Sequence, residues 1–183
     1  MEDGQENISS EKLADFVGVH SWQIRKDFSY FGDFGIRGKG YEISKLIKEI
    51  KAILKLKNVQ KAALVGVGNL GSAIIAYPGF GLYGFDVAVA FDNDPKKVGK
   101  KVKKIEIFDI SRINLLAKEN IKFGIIAVPR NAAQDTADKL IESGVTGILN
   151  FSPSHIVSPA KVKLITIDIA VHLAQMPYYS TNK

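Results

Sequence analysis

With 183 residues, 46% of them apolar, the chain can bury one large core or two small ones, and the absence of cysteine excludes disulfides, thiolate metal sites and a cysteine nucleophile. His20, His155 and His172 are too scattered for a zinc motif, no apolar run reaches the ~20 residues of a membrane span, and Met1 to Asn7 lacks a signal-peptide core, so a metal-free cytoplasmic protein is expected. The net charge of +6 admits nucleic acid without locating it: Lys and Arg against Asp and Glu number ten to nine up to Asn58 and fifteen to ten beyond.

From the N-terminus, Ser9 or Ser10 caps a short helix with the apolar face Leu13, Ala14, Phe16 and Val17, and Gly18 ends it. Ser21 is placed to cap a second helix running to about Phe31, which completes a helix-turn-helix. Ile24, Phe28 and Phe31 recur at helical spacing and point inward, leaving Trp22, Arg25, Lys26 and Ser29 on the outer side, with Tyr30 beside them. Such a face suits DNA, because Arg and Lys meet phosphates or guanine edges while Ser and Tyr donate to phosphate. Gly32 to Tyr41 holds four glycines, and the stretch Arg37, Gly38, Lys39 and Gly40 within it has the composition of a basic wing whose Arg37 enters a minor groove. Ile43, Leu46, Ile47, Ile50, Ile53 and Leu54 then mark an amphipathic helix, and Lys55 to Gln60 a polar joint.

Ala62 to Gly71, Ala-Ala-Leu-Val-Gly-Val-Gly-Asn-Leu-Gly, changes from a strand-like apolar run to the spacing G-x-G-x-x-G and then to helical periodicity. Gly66 permits the sharp turn, Gly68 close approach of a pyrophosphate, and Gly71 tight helix–strand packing. Phe85 to Phe91 is a second strand ending in Asp92, twenty-one residues after Gly71, where an acid accepts from an adenosine ribose and repels a 2′-phosphate. NAD(H) is therefore favoured over NADP(H). The lysine run Lys96 to Lys104 is taken as mainly a solvated loop. Strands Ile105 to Phe108, Phe123 to Val128, Thr146 to Asn150 and Val162 to Ile167 follow, with helices from Ser111 to Asn120 and Asn131 to Ser143 between them. This alternation predicts a doubly wound parallel sheet, with Val128, Pro129, Asn150 and Phe151 at strand ends facing the crevice where a dinucleotide crosses. The fold expected is thus α/β, an N-terminal winged helix-turn-helix over residues 1–58 followed by a Rossmann domain over residues 59–183.

The segments Gln23 to Gly32, Arg37 to Tyr41, Gly66 to Gly71, Tyr77 to Phe80, Phe91 to Gly99 and Gly147 to Pro153, in that order, make the chain resemble the redox-sensing transcriptional repressor Rex family along essentially its whole length. The resemblance implies a homodimer that binds double-stranded operator DNA through paired winged helices, senses the NADH/NAD+ ratio and releases DNA when NADH binds, with no enzymatic activity. It adds Gln23 to the DNA-reading residues. It places Val67, Asn69, Leu70 and Lys97 with the glycines and Asp92 around the cofactor, and Tyr77 and Asp168 near the nicotinamide. Members of the family begin with one more helix ahead of the segment matching Ser9, whose arginine pairs with the residues matched to Tyr77 and Asp168. Here eight residues precede Ser9, so apolar surface on the winged helix is expected to be uncovered. The family also exchanges a C-terminal helix between subunits, and Pro177 directly after Met176 predicts a short one here.

Two alternatives differ in class. A hydride-transferring enzyme needs an acid or base beside the nicotinamide, whereas the one Tyr-x-x-x-Lys spacing weighed, Tyr41 to Lys45, precedes the glycine motif. A nucleotide-binding domain for coenzyme A shares the glycine turn, and Asp92 argues against it only modestly. Tyr77 plugging a helix end and Asp168 capping the last helix are the plain structural readings of those two residues.

Overall fold

The computed structural model describes residues 6–36, 38–54, 56 and 58–180. The chain separates into two compact units, Met1–Asn58 and Val59–Lys183.

In the first unit, β1 (Asn7–Ile8) precedes α1 (Ser10–Val17). Ser9 starts α1 by accepting from the Lys12 amide at 3.2 Å, and Gly18 ends it in the left-handed region at φ 71°. Next comes α2 (Ser21–Ser29), for which His20 rather than Ser21 occupies the capping position, without a side-chain bond. The helix also stops before Phe31. The Tyr30 and Phe31 amides bond back three residues, to Asp27 and Phe28, and this tightened turn swings Phe31 off the Ile24–Phe28 stripe, leaving it 59% exposed.

A hairpin of β2 (Gly35–Ile36) and β3 (Gly40–Glu42) follows, and β1 pairs antiparallel on the other side of β3. Two residues are too few to show an alternating pattern, so β1 is invisible in the sequence. Gly40 adopts φ 78°, and a Cβ there would collide with the Ile8 carbonyl, so glycine is what lets β1 lie against the hairpin. The unit is closed by α3 (Ile43–Ile53). Its core is Ile8, Phe34, Tyr41 and Leu46 with Leu13, Ile24, Phe28, Ile43 and Ile50 packed around them, and Phe28 stands edge-on to Phe34 and Tyr41. Phe16, Val17, Ile47, Ile53 and Leu54, expected on buried faces, are exposed.

The second unit runs β4 (Gln60–Val65), α4 (Asn69–Ala76), α5 (Gly79–Leu82), β5 (Phe85–Asp92), β6 (Lys101–Val102), β7 (Ile105–Asp109), α6 (Leu115–Lys118), β8 (Phe123–Ile126), α7 (Ala133–Glu142), β9 (Gly147–Asn150), β10 (Lys163–Thr166) and α8 (Ile169–Ser180). The sheet order is β10-β9-β8-β4-β5-β7-β6, parallel except at β6. Succession moves outward from β4 through β5 to β7, then restarts at β8 on the other side. The strand order therefore reverses between β4 and β8, and a crevice opens at their carboxyl ends. Apolar clusters lie on both faces, one around Phe91, Leu116, Ile126 and Leu140, the other around Leu64, Ile74, Ile107 and Ile125. This is why the central strands read as nearly continuous apolar runs.

Several local expectations need correction. Part of the lysine run forms β6, an edge strand antiparallel to β7, where Lys101 faces Glu106 and charge discourages further strand pairing. Asp109, not Ser111, makes the cap after β7: its carboxylate accepts from the Ser111 amide at 2.8 Å and starts a 3-10 turn, and α6 is a separate single turn. The helix expected from Asn131 begins as a 3-10 turn and becomes α-helical only at Ala133. Finally, α8 continues through Pro177 to Ser180, whereas proline's missing amide predicts an end there. The missing amide removes the usual bond to the carbonyl of Leu173, four residues back, yet the helix runs on.

Candidate nucleotide cleft and nucleic-acid interface

Val65 delivers the chain into the glycine turn between β4 and α4. Gly66 sits at φ 95°, and a Cβ on it would stand 2.5 Å from the Ala127 carbonyl oxygen, because the end of β8 presses against the turn. A Cβ on Gly71 would strike the Gly66 carbonyl and approach Leu64, so helix and strand can meet only over glycine. Gly68 differs: a Cβ there meets nothing within 4 Å. Space is thus kept open at the glycine that caps α4, and the helix begins there with amides that lack intrahelical acceptors and with the positive end of its dipole.

The crevice is a cleft of about 680 Å³. Gly66, Gly68, Asn69, Leu70, Asp92, Lys97, Val128, Pro129 and Phe151, all singled out from the sequence, line it. Val67 and Gly71 are buried behind the turn, and Tyr77, Asn150 and Asp168 do not line the cleft.

Asp92 is 6% exposed and its carboxylate is already engaged. One oxygen accepts from the Val67 amide at 2.7 Å and from the Lys97 ammonium at 3.1 Å, and the other accepts from the Asp94 amide at 2.9 Å. Burial pushes its pKa up, but the amides of Asp94 and Val67 and the Lys97 ammonium together outweigh burial and hold it below the ordinary value. Asp92 therefore ties the second strand to the glycine turn. Of the roughly four acceptor positions of a carboxylate, three are filled, which leaves one for a further donor.

Asn150 is fully buried at the end of β9. Its carbonyl accepts from the Ser152 amide, and its amide nitrogen donates to the carbonyls of Ser152 and Ser154 and to the Thr166 hydroxyl. It shapes the loop that carries Phe151 and Pro153 to the cleft. Gln134 holds the far end of that loop, donating to the Val157 carbonyl at 3.0 Å and accepting from its amide at 2.9 Å. Tyr77 lies exposed over Gly79, edge-on to Phe80. Asp168 accepts from the amides of Ala170 and Val171 at 3.0 and 3.2 Å, capping α8.

Sequence reasoning missed Asn93, Asp94, Ile110, Thr136 and Lys139 in the cleft wall. The repeated acid of Asp92-Asn93-Asp94-Pro95 was a signal for the first two. The α7 residues gave none, since their spacing is that of any amphipathic helix. Lys139 is paired to Asp135 at 2.7 Å and Lys97 to Asp92, so the cleft offers an anion backbone amides more than unpaired cations.

In the first unit, Trp22 and Tyr30 are exposed, as are Lys26 and Gly38 and Lys39 at the hairpin. The hairpin turn is closed by the Lys39 amide donating to Ile36. Ser29 donates to the Lys26 carbonyl at 2.7 Å, and Arg25 is held by α1 through Ser10 and Glu11. Gln23 is half-buried in α2. Arg37 lies outside the described residues.

A winged helix-turn-helix and a glycine-turn crevice in one chain can be compared with known proteins. Residues 57–154 match the family described as CoA binding domain, and residues 1–29 match the one described as "Putative DNA-binding protein N-terminus". The redox-sensing transcriptional repressor Rex of Carboxydothermus hydrogenoformans is 44% identical over 96% of this chain and 85% of its own length. The chain belongs to the Rex family. The Rex repressor of Desulfitobacterium hafniense is 45% identical over 93% of this chain and 82% of its own. Among solved structures, the family member RSP in complex with β-NAD+ and operator DNA superposes with a TM-score of 0.91 at 33% identity, covering 98% of this chain and 83% of RSP. RSP with β-NADH gives 0.83 at 32% identity, covering 96% and 82%. Membership in Rex makes the chain a transcriptional repressor rather than a dehydrogenase, and the fold is the α/β winged-helix and Rossmann pair read from the sequence.

Proposed function

We propose that this Rex-family chain is a redox-responsive repressor that binds operator DNA through residues 1–58 and NADH or NAD+ through residues 59–183. The observation that carries the cofactor assignment is the glycine turn, jammed at Gly66 and Gly71 and open at Gly68, above a cleft sized for a nucleotide. Gly68, Asn69 and Leu70 present amides to the pyrophosphate, the remaining acceptor of Asp92 meets the adenosine ribose, and Val128, Pro129 and Phe151 line the crevice beyond. Asp92 and Asp94 oppose a 2′-phosphate with Lys97 offsetting one of them, so the cleft prefers NAD(H) to NADP(H). Tyr77 and Asp168 lie outside this cleft, and only the family resemblance assigns them to the nicotinamide end. On DNA, Trp22, Gln23, Arg25, Lys26, Ser29 and Tyr30 form the reading surface, and Arg37, Gly38, Lys39 and Gly40 the wing.

The repressor acts in the cytoplasm as a homodimer. In support, Ile169, Leu173 and Met176 recur on one exposed face of α8, and an apolar groove of about 360 Å³ lined by Phe80, Phe123, Ile125 and Leu149 lies along the sheet. Two copies bury both surfaces by exchanging α8.

A ~100-fold preference of NADH for the DNA-free form corresponds to about 2.7 kcal/mol per site, and by linkage operator DNA must weaken NADH by the same factor. Duplexes enriched from a randomised palindromic library are retested with NADH, NAD+, coenzyme A or no addition. DNA affinity falls with NADH and not with coenzyme A. If NADH leaves it unchanged the sensor reading fails, and if coenzyme A alone lowers it the cleft belongs to that nucleotide.

A further inference from the structure

Among the described side chains of the assigned DNA surface, Arg25 is the one hydrogen-bonded to another helix. Its Nη1 donates to Ser10 Oγ at 2.9 Å and to Glu11 Oε1 at 3.3 Å, and Ser10 Oγ in turn donates to Glu11 Oε1 at 3.2 Å. Three groups from α1 and α2 thus form a closed triangle. It stands at the wall of a cleft of about 670 Å³ between the start of α1 and the hairpin, which Ile36, Lys39 and Gly40 bound from the wing side.

The triangle does little for stability. The side chains of Arg25 and Glu11 are 53% and 67% exposed, and solvent screens an ion pair in such surroundings until it adds little to the fold. What it changes is how Arg25 can meet DNA. A free guanidinium on a flexible stem neutralises any phosphate within reach, which raises affinity for every sequence. With Nη1 committed to a carboxylate and a hydroxyl, part of the charge is offset and the plane of the fork is fixed. Nε and Nη2 remain as a rigid pair of donors, the geometry that matches O6 and N7 of guanine. The carboxyl of Glu11 is held below its ordinary value by its own backbone amide and the hydroxyls of Ser9 and Ser10, with Arg25 adding to this, so the clamp is charged at neutral pH.

We propose that Glu11, assisted by Ser10, is a positioning residue that turns Arg25 from a phosphate contact into a guanine reader. The proposal rests on the DNA-binding reading and adds a specificity element outside the reading helix. Lys26, its neighbour on α2, keeps the sequence-independent role.

The test enriches a randomised palindromic duplex library with the full chain and its variants and sequences the bound pools. The wild type should select guanine at one position in each half-site, and Arg25→Ala should lose that selection alone. Glu11→Gln should weaken the guanine preference at the same position about tenfold. Affinity for non-specific duplex should rise in this variant, with a salt slope steeper by about one unit, because a carboxylate facing the DNA is gone. Ser10→Ala, which removes both bonds of the Ser10 hydroxyl but keeps the carboxylate and its ion pair with Arg25, should show a smaller loss at that position. Uniform weakening over all sequences in both variants would make the triangle a structural feature and overturn the proposal, as would an unchanged guanine preference in Glu11→Gln. A wild type that enriches no sequence would sink the DNA reading itself, and the proposal with it.

Discussion

Replacing Asp92 by asparagine tests how the nucleotide cleft is built. The substitution keeps shape and removes charge. The new amide must turn two donor hydrogens either toward the Val67 amide and Lys97, which now donate at 2.7 and 3.1 Å, or toward the Asp94 amide at 2.9 Å. In the less costly orientation the oxygen keeps the first pair and the Asp94 amide loses its acceptor. Every surviving bond becomes neutral on the acceptor side, at roughly half the strength. One charge-assisted bond to a carboxylate is worth about 1.5–3 kcal/mol, and Lys97, which is partly solvated, recovers some of its loss from water. The expected loss is therefore about 2–3 kcal/mol from the second unit. Urea unfolding followed by circular dichroism measures it, and NADH fluorescence titration should show weaker binding because the Val67 amide, now donating to a neutral oxygen, holds the turn less firmly. The pH dependence has a definite sign. The folded pKa of Asp92 is depressed, so its stabilisation is complete above the unfolded value of about 4 and is lost as pH falls through the lower folded value. Asp92→Asn should remove that part of the acid limb. An unfolding free energy within about 0.5 kcal/mol of wild type, the range of ordinary surface substitutions, would refute the view that these bonds hold the glycine turn.

The three glycines of the turn should separate by phenotype. Gly68→Ala leaves thermal unfolding unchanged, since φ is −86° and no atom lies within 4 Å of the new methyl, yet it weakens NADH at least tenfold, about 1.4 kcal/mol, by intruding where phosphate approaches. Gly71→Ala collides with backbone and should cost more than about 2 kcal/mol in the same melt. Gly40→Ala strains φ and strikes the Ile8 carbonyl, so DNA binding in a gel shift should be lost while NADH titration stays at the wild-type value. Leu173→Asp on the exposed face of α8 should turn a dimer into a monomer in sedimentation; a wild type that is already monomeric, or a variant that stays dimeric, would remove that helix from the interface.

The sequence by itself determined the order of elements and the turn that matters most. Gly66, Gly68 and Gly71 at their spacing, between an apolar strand and a helix, leave few conformations to choose from, and the alternation of elements leaves few topologies. The caps at Ser9 and Gly18 and the stop at Gly144 were legible for the same reason, since each is a local backbone requirement met by a particular residue type. What only the tertiary structure decided lies between segments distant in sequence. Asp92 reads as a sugar ligand until its three internal donors are seen, and Asn150 as a crevice residue until it is found buried and shaping the loop that carries Phe151. Arg25 likewise reads as an outward cation until Glu11, fourteen positions earlier, is found holding it. Strand β1 exists because Gly40 leaves room for Ile8, and Phe31 is exposed because one tightened turn rotates it away from the core. Local chemistry fixes how a backbone can bend, and so it is written in short motifs. Which polar groups satisfy one another depends on the packed elements that bring them together, and no spacing along the chain records that.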